Sequence, residues 1–142
     1  MPRSIYTLGT GTRGIKVFFR ILKDFQIDTI VDVRRFPTSR FEEFKKEKLI
    51  HYCIEEGVEY IYFGCELGGY RKNGYEEWTK TQEFKSGIDK ICKIAENKTL
   101  CIICAETLPW KCHRRYIGAE LTRLGFNVIH IIDENHVWRQ RL

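Results

Sequence analysis

The segment CAETLPWKCHRR, residues 104–115, concentrates the side chains of this chain that can do chemistry. It holds two cysteines, a glutamate, a histidine and two arginines, interrupted by Pro109 and Trp110. Such residue types serve nucleophilic thiol chemistry, metal ligation or the binding of an anion. A crowded turn without chemistry is the fourth interpretation. Spacing within the segment helps to separate them.

Nucleophilic thiol chemistry would centre on Cys104, which ends an apolar run with the character of a strand. Phosphatases and sulfurtransferases place a cysteine there, ahead of a loop whose N–H groups wrap a dianion. The phosphatase spacing requires an arginine where this chain has Trp110. A carboxylate at Glu106 would also repel a dianion and raise the pKa of the thiol. Cys104 is therefore a possible thiol nucleophile that its neighbours do not favour.

Metal ligation through Cys104, Cys112 and His113 lacks a short paired spacing such as C-x-x-C. A disulfide between the two cysteines is compatible with the sequence, but nothing in it favours one. The segment GTGTRG, residues 9–14, lacks the third glycine of a dinucleotide-binding loop. We therefore predict neither a metal nor an organic cofactor.

Anion binding fits the segment better. Cys112, His113 and Arg114 follow Pro109 and begin a helix, whose free N–H groups attract a negative charge. Other candidates for contacts with an anion or substrate lie elsewhere in the chain. The full predicted set is Thr10, Arg13, Arg34, Arg40, Gly68, Gly69, Tyr70, Trp110, Cys112, His113, Arg114 and Arg115.

Strands alternate with helices of crossover length along the chain, which is typical of a parallel sheet. The periodicity predicts strands over residues 5–9, 29–36, 58–63, 99–105 and 127–132. It predicts helices over residues 15–25, 41–57, 84–97 and 111–124. We expect one α/β domain over residues 1–142, a three-layer sandwich whose five-stranded, mainly parallel sheet carries helices on both faces.

The polar residues follow the ends of these strands, and parallel strands share one edge at their carboxyl ends. We therefore expect one crevice to collect Thr10, Arg13, Asp32, Arg34, Glu66, Cys104, Glu106 and His113. Alternation places Asp32 and Arg34 on the same face of one strand, where they can pair. Asp32, Glu66 and Glu106 are the candidate catalytic carboxylates. Tyr70, Tyr75 and Trp110 can stack on a flat ring.

The composition narrows the class of partner. Among 142 residues the formal net charge is +5, which suits an anionic partner such as nucleic acid. The chain shows neither a signal peptide nor an apolar stretch of spanning length, so we expect no membrane partner and a cytoplasmic protein. Six cysteines in such a chain indicate free thiols rather than a disulfide framework.

The blocks VDVRRFPTSR, ELGG and CAETLPWKCHRR resemble the signature of the domain of unknown function 488 (DUF 488) family, prokaryotic single-domain α/β proteins. The resemblance extends from TLGTGTR to VIHI, although TLGTG stands where the family commonly has TIGHS. It implies a shared site but not what the site does. The residues it implies are Asp32, Arg34, Pro37, Arg40, Glu66, Gly68, Gly69, Cys104, Glu106, Cys112, His113 and Arg114.

The leading hypothesis is an enzyme that hydrolyses a nucleotide or nucleic acid, with base excision of the DNA glycosylase type used in DNA repair as one form. Asp32 or Glu106 would activate water or stabilise an oxocarbenium-like centre, and arginines would hold phosphates. A Cys104-dependent rhodanese-like or redox enzyme is the alternative. A module that binds nucleic acid or a small ligand without catalysis is the third hypothesis.

Overall fold

The computed structural model describes residues 3–37 and 41–141. Within these ranges six strands form one sheet in the order β3-β2-β4-β1-β5-β6. The strands are β1 (Ser4–Gly9), β2 (Thr29–Asp32), β3 (Glu59–Tyr62), β4 (Leu100–Cys104), β5 (Asn127–Asp133) and β6 (His136–Arg139). The first five are parallel, and β6 pairs antiparallel with β5. The mainly parallel α/β sheet is confirmed, with one more strand than predicted.

Among the described residues, six α-helices lie between the strands in the chain. They are α1 (Ile15–Asp24), α2 (Lys46–Glu56), α3 (Gly64–Leu67), α4 (Tyr75–Trp78), α5 (Gln82–Ala95) and α6 (Arg114–Arg123). Short 3₁₀ turns at Glu42–Phe44 and Pro109–Lys111 precede α2 and α6. Across the described part of the chain, no helix combines the length and apolar character needed to cross a membrane.

Two apolar cores lie on opposite faces of the sheet. One packs α1 and α2 against inward side chains such as Ile30 and Ile103. The other packs α3, α5 and α6 against Val31 and Ile102 from the same two strands. Burial of each core drives these helices onto the sheet, because every apolar side chain removed from water contributes about 1.5–3 kcal/mol. The carboxyl ends of the parallel strands are left together at one edge, as predicted.

Gly9 brings the end of β1 against the loop that follows β4. A Cβ atom at this position would lie 1.9 Å from the carbonyl oxygen of Glu106. The next two residues continue the contact, since Thr10 donates its N–H to the carbonyl of Cys104 at 2.8 Å and Gly11 donates to that of Ala105 at 2.9 Å. The loop bearing Glu106 is therefore fixed to the sheet by backbone contacts.

Candidate functional site

A crevice of about 740 Å³ opens beyond the carboxyl ends of β2 and β4. Its walls come from the loop after β2, the segment after α3, the loop after β4 and the start of α6. The lining residues are Arg34, Arg35, Phe36, Gly69, Tyr70, Tyr75, Cys104, Ala105, Glu106, Trp110, Lys111, Cys112, His113, Arg115 and Tyr116. Its size is that of an ordinary small-ligand pocket.

The structure brings ten of the predicted site residues to this crevice, namely Arg34, Gly69, Tyr70, Tyr75, Cys104, Glu106, Trp110, Cys112, His113 and Arg115. The predicted residues that do not line it are Thr10, Arg13, Asp32, Glu66, Gly68 and Arg114. Arg40 lies outside the described residues.

Asp32 is fully buried and occupied by structural partners. Arg34 donates to its carboxylate through Nε at 2.9 Å and through Nη2 at 2.8 Å, and the Tyr60 hydroxyl donates at 2.5 Å. The third guanidinium nitrogen of Arg34, Nη1, donates to the carbonyl of Phe44 at 2.6 Å. The predicted Asp32–Arg34 pair thus exists, but it anchors the region before α2 and leaves the carboxylate no contact with the crevice.

Glu66 also faces away from the crevice. Its carboxylate accepts a hydrogen bond from Nζ of Lys90 on α5 at 3.0 Å. Its carbonyl accepts one from the indole N–H of Trp78 at 2.7 Å. Glu106 is consequently the one carboxylate, among the described residues, that lines the crevice. The two acids expected beside it are not brought together with it.

Thr10 and Arg13 are built into the structure rather than exposed to a ligand. Thr10 is 2% exposed. Arg13 donates from Nε to the carbonyl of Gly9 and from Nη2 to that of Ile132, both at 2.9 Å. The anion contacts predicted for Thr10 and Arg13 are therefore replaced by contacts within the fold.

Cys104 and Cys112 meet at the floor of the crevice, with 2.8 Å between their Sγ atoms. A hydrogen bond from the Cys104 thiol, together with His113 and the charge of Arg114, lowers the pKa of the Cys112 thiol far below its ordinary value. Burial raises the pKa of Cys104, which keeps its proton and supplies that hydrogen bond. Cys112 is accordingly a thiolate at neutral pH, and Cys104 is its proton donor.

Helix α6 contributes to the same thiolate. The backbone N–H of Arg114, the first residue of α6, donates to Sγ of Cys112 at 3.5 Å. N–H groups at a helix start carry partial positive charge and lower the pKa of a cysteine placed there. An external anion was predicted to bind at this helix start. In the structure the sulfur of Cys112, from the chain itself, takes that position.

His113 is oriented by the backbone of β2. Its Nε2 lies 3.0 Å from the carbonyl oxygen of Val33, which can only accept, so Nε2 carries a proton. Its Nδ1 lies 3.5 Å from Sγ of Cys112. In the neutral ring Nδ1 accepts a proton, and in the charged ring it donates one to the thiolate. This arrangement makes His113 the acid–base partner of Cys112.

Arg114 does not reach the crevice and is fully buried. Nη2 donates to the carbonyls of Glu106 at 2.7 Å and Thr107 at 3.1 Å, and Nη1 donates to the hydroxyl of Thr7 at 2.8 Å. Its Nε has no hydrogen-bond partner. A buried guanidinium stays charged and requires an opposite charge nearby.

That opposite charge does not come from a carboxylate. No Asp or Glu side chain among residues 3–37 and 41–141 forms an ion pair with Arg114. The thiolate of Cys112 is the anion that its charge stabilises. The guanidinium and the thiolate therefore balance each other beneath the crevice.

Four further lining residues were not predicted from the sequence to belong to the site, namely Arg35, Phe36, Lys111 and Tyr116. Arg35 and Phe36 follow the predicted second strand directly, so the rule that ligands bind beyond strand ends could have found them. Within the described ranges, no group of three or more His, Cys, Asp or Glu side chains is arranged to hold a metal ion.

The model of the family described as domain of unknown function DUF488 matches residues 14–121. The chain belongs to the DUF488 family. The resemblance noted from the three sequence blocks is thereby confirmed, and the match covers β2, β4 and the start of α6, which together form the crevice. Comparisons with curated proteins and with solved structures gave no significant match.

Proposed function

We propose that this DUF488 protein is a dithiol enzyme in which the thiolate of Cys112 attacks an electrophilic sulfur and Cys104 then displaces the product. One observation carries the proposal: a thiolate, Cys112, lies 2.8 Å from a protonated thiol, Cys104, in an open crevice. This exchanges the roles expected from the sequence, in which Cys104 was the candidate nucleophile.

The reaction follows from ordinary thiol–disulfide exchange. The Cys112 thiolate attacks one sulfur of a substrate disulfide, which releases one thiolate product and leaves a mixed disulfide on Cys112. Cys104 gives its proton to the departing thiolate product and attacks Sγ of Cys112, which releases the second thiolate and forms a Cys104–Cys112 disulfide. The substrate gains the two electrons that the dithiol loses, and a small-molecule thiol restores the dithiol. The expected cytoplasmic location fits, because thiols stay reduced there.

An aromatic disulfide that carries carboxylates, 5,5′-dithiobis(2-nitrobenzoate), suits the test because the crevice is cationic. The background protein is Cys65→Ser/Cys92→Ser, which removes the thiols that are not fully buried outside the crevice. We expect it to release two equivalents of nitrothiobenzoate rapidly, and the Cys104→Ser version to release one and retain the mixed disulfide by mass. If Cys112→Ser in the same background reacts as fast as its parent, the dithiol mechanism is wrong.

Hydrolysis of a nucleotide or nucleic acid is the second candidate, and the chemistry of the crevice walls favours it. Arg35, Lys111 and Arg115 are cations, Tyr70 and Trp110 are exposed rings, and Glu106 is an exposed carboxylate able to activate water. Damaged-base oligonucleotides and free nucleotides would be incubated with the protein and product release measured. Glu106→Gln should abolish release while Cys112→Ser preserves it; the opposite pattern would exclude this candidate.

A further inference from the structure

Two aromatic rings stand exposed at the mouth of the crevice. Phe36 is 59% exposed and Tyr70 is 86% exposed. Their ring centroids lie 6.3 Å apart, and the ring planes form an angle of 36°. We call this pair the aromatic clamp. Neighbouring large rings left in water on a folded surface mark a site of interaction.

The backbone of Tyr70 is held in an unfavourable conformation. Its φ of 60° lies in the left-handed region, which costs energy for a residue with a bulky side chain. Arg35 stabilises the arrangement, because its Nη1 donates to the Tyr70 carbonyl at 2.5 Å and its guanidinium lies 5.3 Å from the centroid of the Phe36 ring. Strain retained in this way is common at ligand clamps.

A second cavity, of about 460 Å³, lies on the other side of the clamp and shares Arg35 and Tyr70 with the crevice. Arg71 and Lys72 line it, and the guanidinium of Arg71 lies 3.7 Å from the centroid of the Trp78 ring. Among the described residues, no carboxylate forms an ion pair with any of these three cations. Glu77 also lines the second cavity but is paired with Lys80 at 3.0 Å, so positive charge without an ion-pair partner continues from the crevice across the clamp.

We infer that the crevice and the second cavity together bind single-stranded nucleic acid, with one base held between Phe36 and Tyr70. Two rings that sandwich a flat base stand roughly 7 Å apart, twice the contact distance of aromatic carbons. The clamp, open by 36° with centroids 6.3 Å apart, reaches this spacing by a small side-chain rotation.

Phosphates on either side of that base meet Arg35 and Lys111 in the crevice, or Arg71 and Lys72 in the second cavity. A duplex does not fit, because its bases are already stacked on each other and cannot enter the clamp. The inference extends the second candidate function by naming its substrate, and it does not depend on which crevice residue does the chemistry.

Fluorescence anisotropy of 5′-labelled oligonucleotides of twelve nucleotides measures this binding. We expect single-stranded DNA or RNA to bind more tightly than the duplex, with an affinity that falls as salt is raised. Tyr70→Asn is the sharpest variant, because asparagine tolerates the left-handed backbone and only the ring is lost. Tyr70→Asn should weaken binding roughly tenfold, which is the loss expected for one base–aromatic stack. Tyr70→Phe keeps the ring and should bind as tightly as the wild type.

A matched pair of lysine variants tests the contribution of charge to binding. Lys72→Ala should weaken binding and reduce the salt dependence, whereas Lys48→Ala, which removes an exposed lysine on α2, should do neither. Duplex binding as tight as single-strand binding, or unchanged affinity in Tyr70→Asn, would overturn the inference. If mononucleotides competed fully with the oligonucleotide at the same nucleotide concentration, the inference that the site binds an extended strand would be wrong. Binding retained in Cys112→Ser and in Glu106→Gln leaves this site standing even if both proposed reactions fail.

Discussion

The charge of the buried Arg114 guanidinium helps to lower the pKa of Cys112, two residues earlier in the chain, although one side chain faces the interior and the other faces the crevice. The turn into α6 separates their directions, since the backbone N–H of Arg114 points at the sulfur while its side chain extends toward β1. The sulfur and the charge that stabilises it are therefore encoded two positions apart in the chain.

Reactivity of Cys112 should be nearly independent of pH. Because its pKa is lowered by the Cys104 thiol, His113 and Arg114, the sulfur is already ionised at pH 6. An ordinary thiol gains reactivity about tenfold per pH unit below its pKa of about 8.5. Alkylation by iodoacetamide, followed by peptide mass analysis between pH 6 and pH 8, checks this against a free cysteine peptide. A tenfold rise per unit at Cys112 would contradict the assignment.

Mild oxidation should join Cys104 to Cys112 before any other pair, since their sulfurs lie 2.8 Å apart and one is a thiolate. Diamide, which accepts the two hydrogens, followed by digestion and mass spectrometry should yield a peptide pair that links these residues and has lost two hydrogen atoms. Cys65→Ser should leave the yield unchanged. A dominant disulfide through Cys65, or none within the crevice, would contradict the expectation.

Removing the charge of Arg114 should raise the pKa of Cys112 and destabilise the protein. In Arg114→Gln the thiolate loses its counter-charge, and the carbonyls of Glu106 and Thr107 lose their donor. We expect a loss on the order of 3 kcal/mol in the free energy of unfolding, as for other broken buried charge networks. Thiolate absorbance near 240 nm against pH reports the pKa, and urea denaturation reports the stability. Arg115→Gln, which changes an exposed arginine, is the control.

Gly69→Ala should slow the thiol chemistry with little effect on folding. A Cβ atom at position 69 would lie 3.2 Å from Nδ1 of His113, the atom that faces Cys112. The imidazole must then move by a few tenths of an ångström, which weakens its contact with the sulfur. Gly14→Ala is the matched control, because nothing lies within 4 Å of its added Cβ atom. Equal alkylation rates in the two variants would show that His113 does not act on Cys112.

Stability should fall as the pH drops because of His130. Burial lowers the pKa of this histidine to about 4, whereas in the unfolded chain it is about 6.5. The unfolded state therefore binds the extra proton first. Stability from this group is full above pH 6.5 and is lost between about pH 6.5 and pH 4, at up to about 1.4 kcal/mol per unit. Urea denaturation of the wild type and of His130→Asn at pH 6.5 and pH 4 isolates the contribution of this histidine. An equal change of unfolding free energy with pH in the two proteins would contradict the assignment.

Sequence periodicity predicted most of the fold because strands buried on both faces are nearly continuous apolar runs. It missed β6, whose four residues are all exposed and so carry no apolar pattern. The turn before it was visible in Asp133, whose carboxylate accepts from the N–H of Asn135 at 2.8 Å, a recognisable Asx turn. The periodicity also predicted that the second strand continues to residue 36. In the structure β2 ends at Asp32, and the residues after it turn to line the crevice.

The sequence predicted the position of the candidate site better than the roles of its residues. Arg114 lies three and seven residues before Ile117 and Leu121, so helical spacing places it on the buried face of α6 with them. That signal was available, but an arginine was expected to bind an outside anion. The contact of Cys104 with Cys112 was not predictable from spacing, because the path of the intervening loop depends on carbonyls held by Arg114.

The buried chain of hydrogen bonds beneath the crevice has a consequence for expressed fragments. Thr7 contacts Arg114 at 2.8 Å and His130 at 2.6 Å, and His130 contacts Gln140 at 2.7 Å. The family match, residues 14–121, contains Arg114 and the carbonyls of Glu106 and Thr107, but not Thr7, His130 or Gln140. A fragment cut to that match would keep both motif cysteines and lose the scaffold of their counter-charge. We therefore expect native thiol reactivity only in a unit that is longer than the family match, one that includes Thr7 and extends through Gln140.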